Sequence, residues 1–272
     1  MTEGSQRFKG VLLILGILAL WEGVGLLGWV NAKVLPPPHA VAIKWWEYLA
    51  PQQPYDAESD SRLSWLLSGE LIQDAMGSLY RVLAGFVVGT LLALPIGLMM
   101  GASRQIYQLC NPLLQILRPI PPIAYIPLSI LWFGLGNPPA IFLIAIGAFF
   151  PVLMNTIAGV RAVDGIFLRA ARNLGASQTT IFMRVILPAS TPYILTGMRI
   201  GIGTAFIVVI VAEMIAVNNG LGFRILEARE YFWSDKIIAG MFTIGLLGLA
   251  IDSGMNRLNN YLLKWHRGIE SN

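Results

Sequence analysis

The sequence predicts an all-α, polytopic membrane protein with about six transmembrane helices, and three observations carry that prediction. Hydrophobic residues make up 56% of the 272-residue chain. Charged residues make up 12%, against roughly 25% in an ordinary soluble domain. The apolar residues are gathered into nearly uncharged runs, several of them long enough to cross about 30 Å of hydrocarbon, which takes about 20 helical residues. The mean hydropathy of +0.65 agrees. The formal net charge is only +4, with no dense basic stripe, so no nucleic-acid partner is expected. One cysteine, Cys110, allows no internal disulfide. His39 and His266 stand alone, without the ligand spacing a metal needs, so no metal site is expected.

The first predicted span covers residues 10–30, interrupted by Glu22 beside Trp21 and preceded by Arg7 and Lys9. No small-x-small cleavage site follows, so it reads as a retained anchor rather than a cleaved signal. Leu35-Pro-Pro-Pro-His39 cannot be helix interior. Residues 42–50, with Trp45, Trp46 and Tyr48, read as a short amphipathic helix at the membrane–water interface, where amphipathic rings collect. Residues 51–64 are polar and read as a solvated loop.

The second span, 82–103, carries Gly85/Gly89 and Gly97/Gly101 at the small-x-x-x-small spacing that lets membrane helices approach closely. The run 119–160 has no charged residue and is about twice the length of one span, with a turn signal at Gly134-Leu-Gly-Asn-Pro-Pro139. It therefore splits into spans at 109–133 and 139–160. The earlier one holds Arg118, Pro119, Pro121, Pro122 and Pro127. These prolines must break its helical hydrogen bonding. Freed backbone groups at membrane depth are tolerated only inside protein or beside water, so this span is expected to face a pathway. Spans five and six cover 192–216 and 237–256, joined by an outer loop or re-entrant piece beginning at Asn218.

The stretch 161–188 holds Arg161, Arg169, Arg172 and Arg184 against one acid, Asp164, which makes it cytoplasmic by the positive-inside rule. With the N-terminus inside, ten Lys and Arg fall on cytoplasmic segments (7, 9, 104, 161, 169, 172, 184, 257, 264, 267) and six outside (33, 44, 62, 224, 229, 236). The bias runs the expected way. No Gly-rich phosphate loop of the Walker type occurs.

Inside that cytoplasmic stretch, Arg169-Ala-Ala-Arg-Asn-Leu-Gly175 is followed after nine residues by Val185-Ile-Leu-Pro188. This resembles the "EAA" loop of ABC-importer permeases: Glu-Ala-Ala, three residues, Gly, nine residues, Ile-x-Leu-Pro. Arg169 replaces the family's Glu, and Val185 its Ile. Further pieces look like the nitrate, bicarbonate, sulfonate and taurine branch: Leu35-Pro-Pro-Pro, Ser78-Leu-Tyr-Arg-Val-Leu-Ala-Gly-Phe86, Leu117-Arg-Pro-Ile-Pro-Pro-Ile-Ala-Tyr-Ile-Pro-Leu128, Leu131-Trp-Phe-Gly134, and Val211-Ala-Glu213 with Gly220-Leu-Gly222. The resemblance implies a type I permease fold and a small-anion importer working by alternating access. It also implies ABC ATPase subunits that carry the ATP and Mg, a second permease copy and an external substrate-binding protein. The chain itself would bind no cofactor and catalyse nothing. It would lie among the lipid of a bacterial-type inner membrane with both termini cytoplasmic.

The expected organisation is an anchor and external segment over 1–66, a permease core over 67–265 and a cytoplasmic tail over 266–272. The ATPase-coupling residues implied are Arg169, Ala170, Ala171, Gly175, Val185, Leu187 and Pro188. Pathway candidates are Arg118, Pro119, Pro121, Pro122, Arg199 and Glu213. Arg199 and Glu213 lie fourteen residues apart, nearly on one helical face. That face lines the pathway or ties two copies together, or else the two side chains simply reach opposite interfaces. Arg118 is read either as an anion attractor or as a partner of a neighbouring helix or headgroup, and Asp252 as a structural partner. An ion-gradient-driven secondary transporter is the alternative. A membrane enzyme lacks the paired acids, activated nucleophile or metal cluster it would need.

Overall fold

The computed structural model describes residues 3–56 and 61–263. Lys264, the tail over 266–272 and the Arg7 side chain lie outside the described residues. Within them the chain is helical: α1 (Glu3–Leu26), α2 (Pro38–Leu49), α3 (Arg62–Leu66), α4 (Glu70–Ala102), α5 (Arg104–Leu117), α6 (Ile126–Phe133), α7 (Asn137–Arg161), α8 (Gly165–Asn173), α9 (Gln178–Ile181), α10 (Leu187–Ala216), α11 (Leu221–Glu230) and α12 (Ser234–Leu262). Five helices are long and apolar enough to cross a membrane, and the bent pair α5–α6 makes a sixth span if counted as one. The expected breaks fall where the prolines stand, but α4 and α12 extend well beyond the expected 82–103 and 237–256. Their polar ends reach out of the hydrocarbon run, which is why hydropathy alone shortens them. Residues 51–56 are irregular, as expected, and α3 begins at Arg62 within the expected loop.

The chain forms two compact units, Met1–Gly77 with Asn219–Leu246, and Ser78–Asn218 with Leu247–Asn272. The whole 1–66 segment falls in the first.

In the first unit, Pro38 opens α2 at a position where its missing N–H costs nothing. Glu22 of α1 accepts from the His39 ring at 2.6 Å, which explains an acid in the otherwise apolar run 10–30. Trp45 donates to Thr243 at 2.8 Å and packs edge-on against Phe242, seating α2 on the start of α12. The segment after Asn218 is helix α11, held by charge. Arg224 meets Glu70 at 2.6 Å, Asp74 at 2.8 Å and Glu227 at 2.6 Å, and Lys236 meets Glu70 at 3.2 Å. Burial works against the Arg224 charge, but the hydrogen bond to Asp74 and the carboxylates of Asp74 and Glu70 outweigh it, holding its pKa above the usual arginine value.

The second unit packs α4, α7, α10 and α12 around Val82, Ile144, Ala148, Ala205 and Val209, all buried. A second cluster (Ala93, Met100, Val152, Leu153, Ile157) joins α4 to α7 with α5 against it. The glycine spacing of α4 does what it suggests. A Cβ at Gly89 would stand 2.5 Å from the Ala145 carbonyl oxygen, and one at Gly101 2.5 Å from Val160. Gly89→Leu is therefore expected to destabilise the protein by about 1–3 kcal/mol through overpacking. Thermal unfolding in detergent checks this, with Gly203→Leu, where a Cβ meets nothing within 4 Å, expected to change little.

Candidate functional site

The site begins at the break between α5 and α6. Arg118 caps α5, its N–H donating to Leu114 O at 2.9 Å. Pro121 is extended (φ −66, ψ 143) and cannot continue the helix, because it has no N–H to donate. A 3₁₀ turn over Pro122–Tyr125 restarts the chain, and the two arms meet at 82°. A cavity of about 400 Å³ opens here, lined by Arg118, Ile120, Pro121 and Pro122, by Ile146, Gly147, Phe150, Pro151, Met154 and Asn155 of α7, and by Ile200 and Thr204 of α10.

The polar groups of this cavity are few and unequal. Thr204 gives its hydroxyl proton to Ile200 O at 2.9 Å, and Asn155 gives one amide N–H to Pro151 O at 2.9 Å. Arg118 has no ion-pair partner among the described residues. Its guanidinium presents five N–H donors and no acceptor. The remaining wall is hydrocarbon, aromatic ring and proline. Such a cavity can hold the head of an anion at Arg118 and an apolar body against Phe150, Met154 and Ile200. Arg118 is exposed at the mouth of this cavity, and a cationic side chain lining a passage favours anions.

Of the sequence candidates, Arg118, Pro121 and Pro122 line this cavity and Pro119 does not. Arg199 and Glu213 do not meet each other. Glu213 is fully buried and pairs with Arg81 of α4 at 2.6 Å, while Ser78 donates to it at 2.8 Å. Arg81 also donates to Asn137, at the start of α7, at 2.7 Å. Glu213 thus ties three helices of one unit together. Arg199 makes a two-pronged pair with Asp252 of α12, at 3.0 and 3.1 Å, so Asp252 is a structural partner as expected. Sequence reasoning missed Asn155 and Thr204 as cavity residues. A polar side chain in mid-span was the available signal.

The second feature is the loop over 161–188. Asp164 caps α8, its carboxylate accepting the Ile166 N–H at 2.8 Å. The helix ends at Gly175, whose φ of +75 closes the turn. Gly175 N–H donates to Arg172 O at 2.9 Å and Ala176 N–H to Ala171 O at 3.1 Å, the paired bonds of a left-handed C-terminal cap that favours glycine. Ser177 then caps α9 by accepting from Thr180 N–H at 3.2 Å. A π turn over Phe182–Ile186, holding Val185, leads into α10, where Leu187 and Pro188 form the first turn. Arg169 and Ala170 are exposed and Ala171 half-buried. Ile166, Phe167 and Leu174 are 59%, 62% and 87% exposed, so this short two-helix element carries an apolar face that its own unit does not cover.

Comparison with known proteins matches residues 93–267 to the family described as "Binding-protein-dependent transport system inner membrane component". The chain is 38% identical to the putative aliphatic sulfonates transport permease of Bacillus subtilis (strain 168), over 98% of this chain and 92% of that protein. It is 35% identical to the taurine transport system permease of Escherichia coli (strain K12), over 96% and 90%. Against the bicarbonate transport system permease of Synechococcus elongatus it is 33% identical, over 97% and 94%. Its fold is similar to a chain of the inward-facing MetNI methionine ABC transporter, with a TM-score of 0.64 and 18% identity, over 74% of this chain and 99% of that one.

Proposed function

We propose that this chain, which belongs to the family of binding-protein-dependent transport system inner membrane components, passes a small anion inward through the cavity at Arg118 by alternating access. It is a multi-pass permease subunit of a type I ABC importer, not an enzyme. The observation that carries the anion reading is a guanidinium with no ion-pair partner among the described residues, in a largely apolar cavity of a broken span. The hydrocarbon walls favour an organic anion such as a sulfonate or taurine over bicarbonate or nitrate, because a small, fully hydrated ion leaves Phe150, Met154 and Ile200 without a partner.

The remaining parts of the importer follow from the loop and from charge. ATP and Mg belong to a separate ATPase chain, which meets the apolar face of α8 and α9 around Ala170, Ala171 and Leu174, with Gly175 setting the angle between the two helices. Arg169, where the family has Glu, offers the ATPase a cation instead of an anion. A second permease copy completes the passage, and an external substrate-binding protein delivers the anion on the side of α11. The excess of Lys and Arg on the 161–188 side supports cytoplasmic termini. The permease core is taken as 67–265. The ion-gradient alternative finds no support, since Glu213, the carboxylate such a carrier would titrate, is committed to Arg81.

The test of the docking face is Leu174→Asp. A charge placed at the centre of an apolar contact is expected to weaken association with the ATPase by more than about 1 kcal/mol, roughly five- to tenfold. Co-purification at graded protein concentration reads it. Undiminished association would move the docking face elsewhere.

A further inference from the structure

We infer that the first unit holds one zwitterionic phospholipid, with its headgroup in a cleft between the α1–α2 and α11–α12 connections and an acyl chain in a second groove lined by α1 and α12. The cleft, of about 720 Å³, is lined on one side by Ala32, Lys33, Val34 and Pro36 and on the other by Tyr231 to Asp235. Ser234 donates to Lys33 O at 2.5 Å and fixes the two sides together. Lys33 and Asp235 both face this cleft, and neither has an ion-pair partner among the described residues. Asp235 accepts the Lys236 N–H at 2.8 Å, yet a cation and an anion in one cleft, neither ion-paired among the described residues, complement a phosphate and an ammonium joined by a short linker.

A second groove is lined in part by residues next in sequence to those of the cleft. It measures about 620 Å³ and is lined by Ile17, Leu20, Trp21 and Val24 of α1, by Leu35, and by Ile238, Met241 and Phe242 of α12. Leu35 lies in the chain between the cleft residues Val34 and Pro36, and Ile238 three residues beyond Asp235. From Val24 to Ile17 the groove descends about 10 Å along α1, a depth that takes part of an acyl chain. Its wall carries no charged side chain, and it lies in two helices that cross the membrane by length and composition.

The rim has the chemistry of the membrane–water boundary. Tyr231 and Trp233 stack at 4.8 Å. Phe232, between them, adopts φ +57 and is 82% exposed. Its N–H donates to Arg229 O and the Trp233 N–H to Ala228 O, so a phenylalanine occupies the helix-ending position where glycine is the unstrained choice. A bulky residue there is an outlier, and such strain points to a function for what it displays. Aromatic rings at the level of the headgroups serve to anchor a protein at the interface. The outer leaflet follows from the cytoplasmic N-terminus proposed above. The site does not depend on which anion is carried.

The test is lipid analysis of the full chain, extracted in mild detergent from membranes containing phosphatidylethanolamine and phosphatidylglycerol. Tightly bound lipid is expected to be enriched in phosphatidylethanolamine by at least about fivefold over the bulk membrane. Lys33→Gln with Asp235→Asn should abolish that preference, while Met241→Trp should fill the groove and release the lipid. Bound lipid with the bulk headgroup ratio, or lipid retained unchanged in Met241→Trp, would overturn the proposal. So would efficient crosslinking of two copies through Met241→Cys, because a second chain would then cover the groove.

Discussion

Replacing Glu213 by alanine is expected to lower the stability of the folded chain by about 3–5 kcal/mol, the largest loss of any single substitution considered. The reason is asymmetry rather than the intrinsic strength of the pair. Arg81 and Glu213 are 2% and 0% exposed and meet at 2.6 Å. Their attraction roughly offsets the cost of taking both out of water. Removing the acid leaves a buried arginine that cannot shed its proton. It also removes the acceptor of the Ser78 hydroxyl bond to Glu213. The double change Arg81→Met with Glu213→Leu should recover most of the loss, because hydrocarbon of similar volume needs no partner. Thermal unfolding of the purified single and double variants measures this. If Glu213→Ala costs less than about 1 kcal/mol, the pair is not what ties α4, α7 and α10 together.

Arg118→Gln is expected to reduce uptake roughly 10- to 100-fold at low substrate, since a charge-assisted hydrogen bond to an anion contributes about 1.5–3 kcal/mol. Glutamine keeps a polar N–H donor but is shorter and removes the charge. Arg118→Lys should restore part of the activity, because it returns the charge without the planar fork. The fold should be untouched: Arg118 caps α5 through its backbone N–H, and its side chain pairs with nothing among the described residues. Unchanged uptake by Arg118→Gln would remove Arg118 from the pathway.

The parts of this molecule legible in its sequence are those with local causes. Prolines 119, 121 and 122 announce a broken span, and α5 and α6 meet at 82° there. Gly85, Gly89, Gly97 and Gly101 announce a close helix contact, and α7 fills it. Gly175 at the end of an Ala-rich turn announces a helix cap. What could not be read depends on partners far along the chain. Arg81 and Glu213 are 132 residues apart, and no periodicity links them. Arg199 and Glu213 share a helix face, yet each is claimed by a different neighbour, Asp252 and Arg81. Helix α11 was hidden because it is short and charged, and its order comes from Glu70 and Asp74 of α4, which pair with Arg224. Asn155 and Thr204 look like ordinary polar residues of a span until the break brings Arg118 beside them.

The central claim is that this chain is a passage opened by another chain's ATP hydrolysis, through the helix pair that begins at Asp164. The most direct measurement is anion uptake into proteoliposomes holding this chain with its ATPase and binding protein, comparing the wild type with Ala171→Trp. The account predicts uptake that requires ATP, ignores an imposed proton or sodium gradient, and falls at least about tenfold in the variant while the ATPase still hydrolyses ATP. Uptake by the permease chain alone, driven by an ion gradient and indifferent to Ala171→Trp, would contradict it.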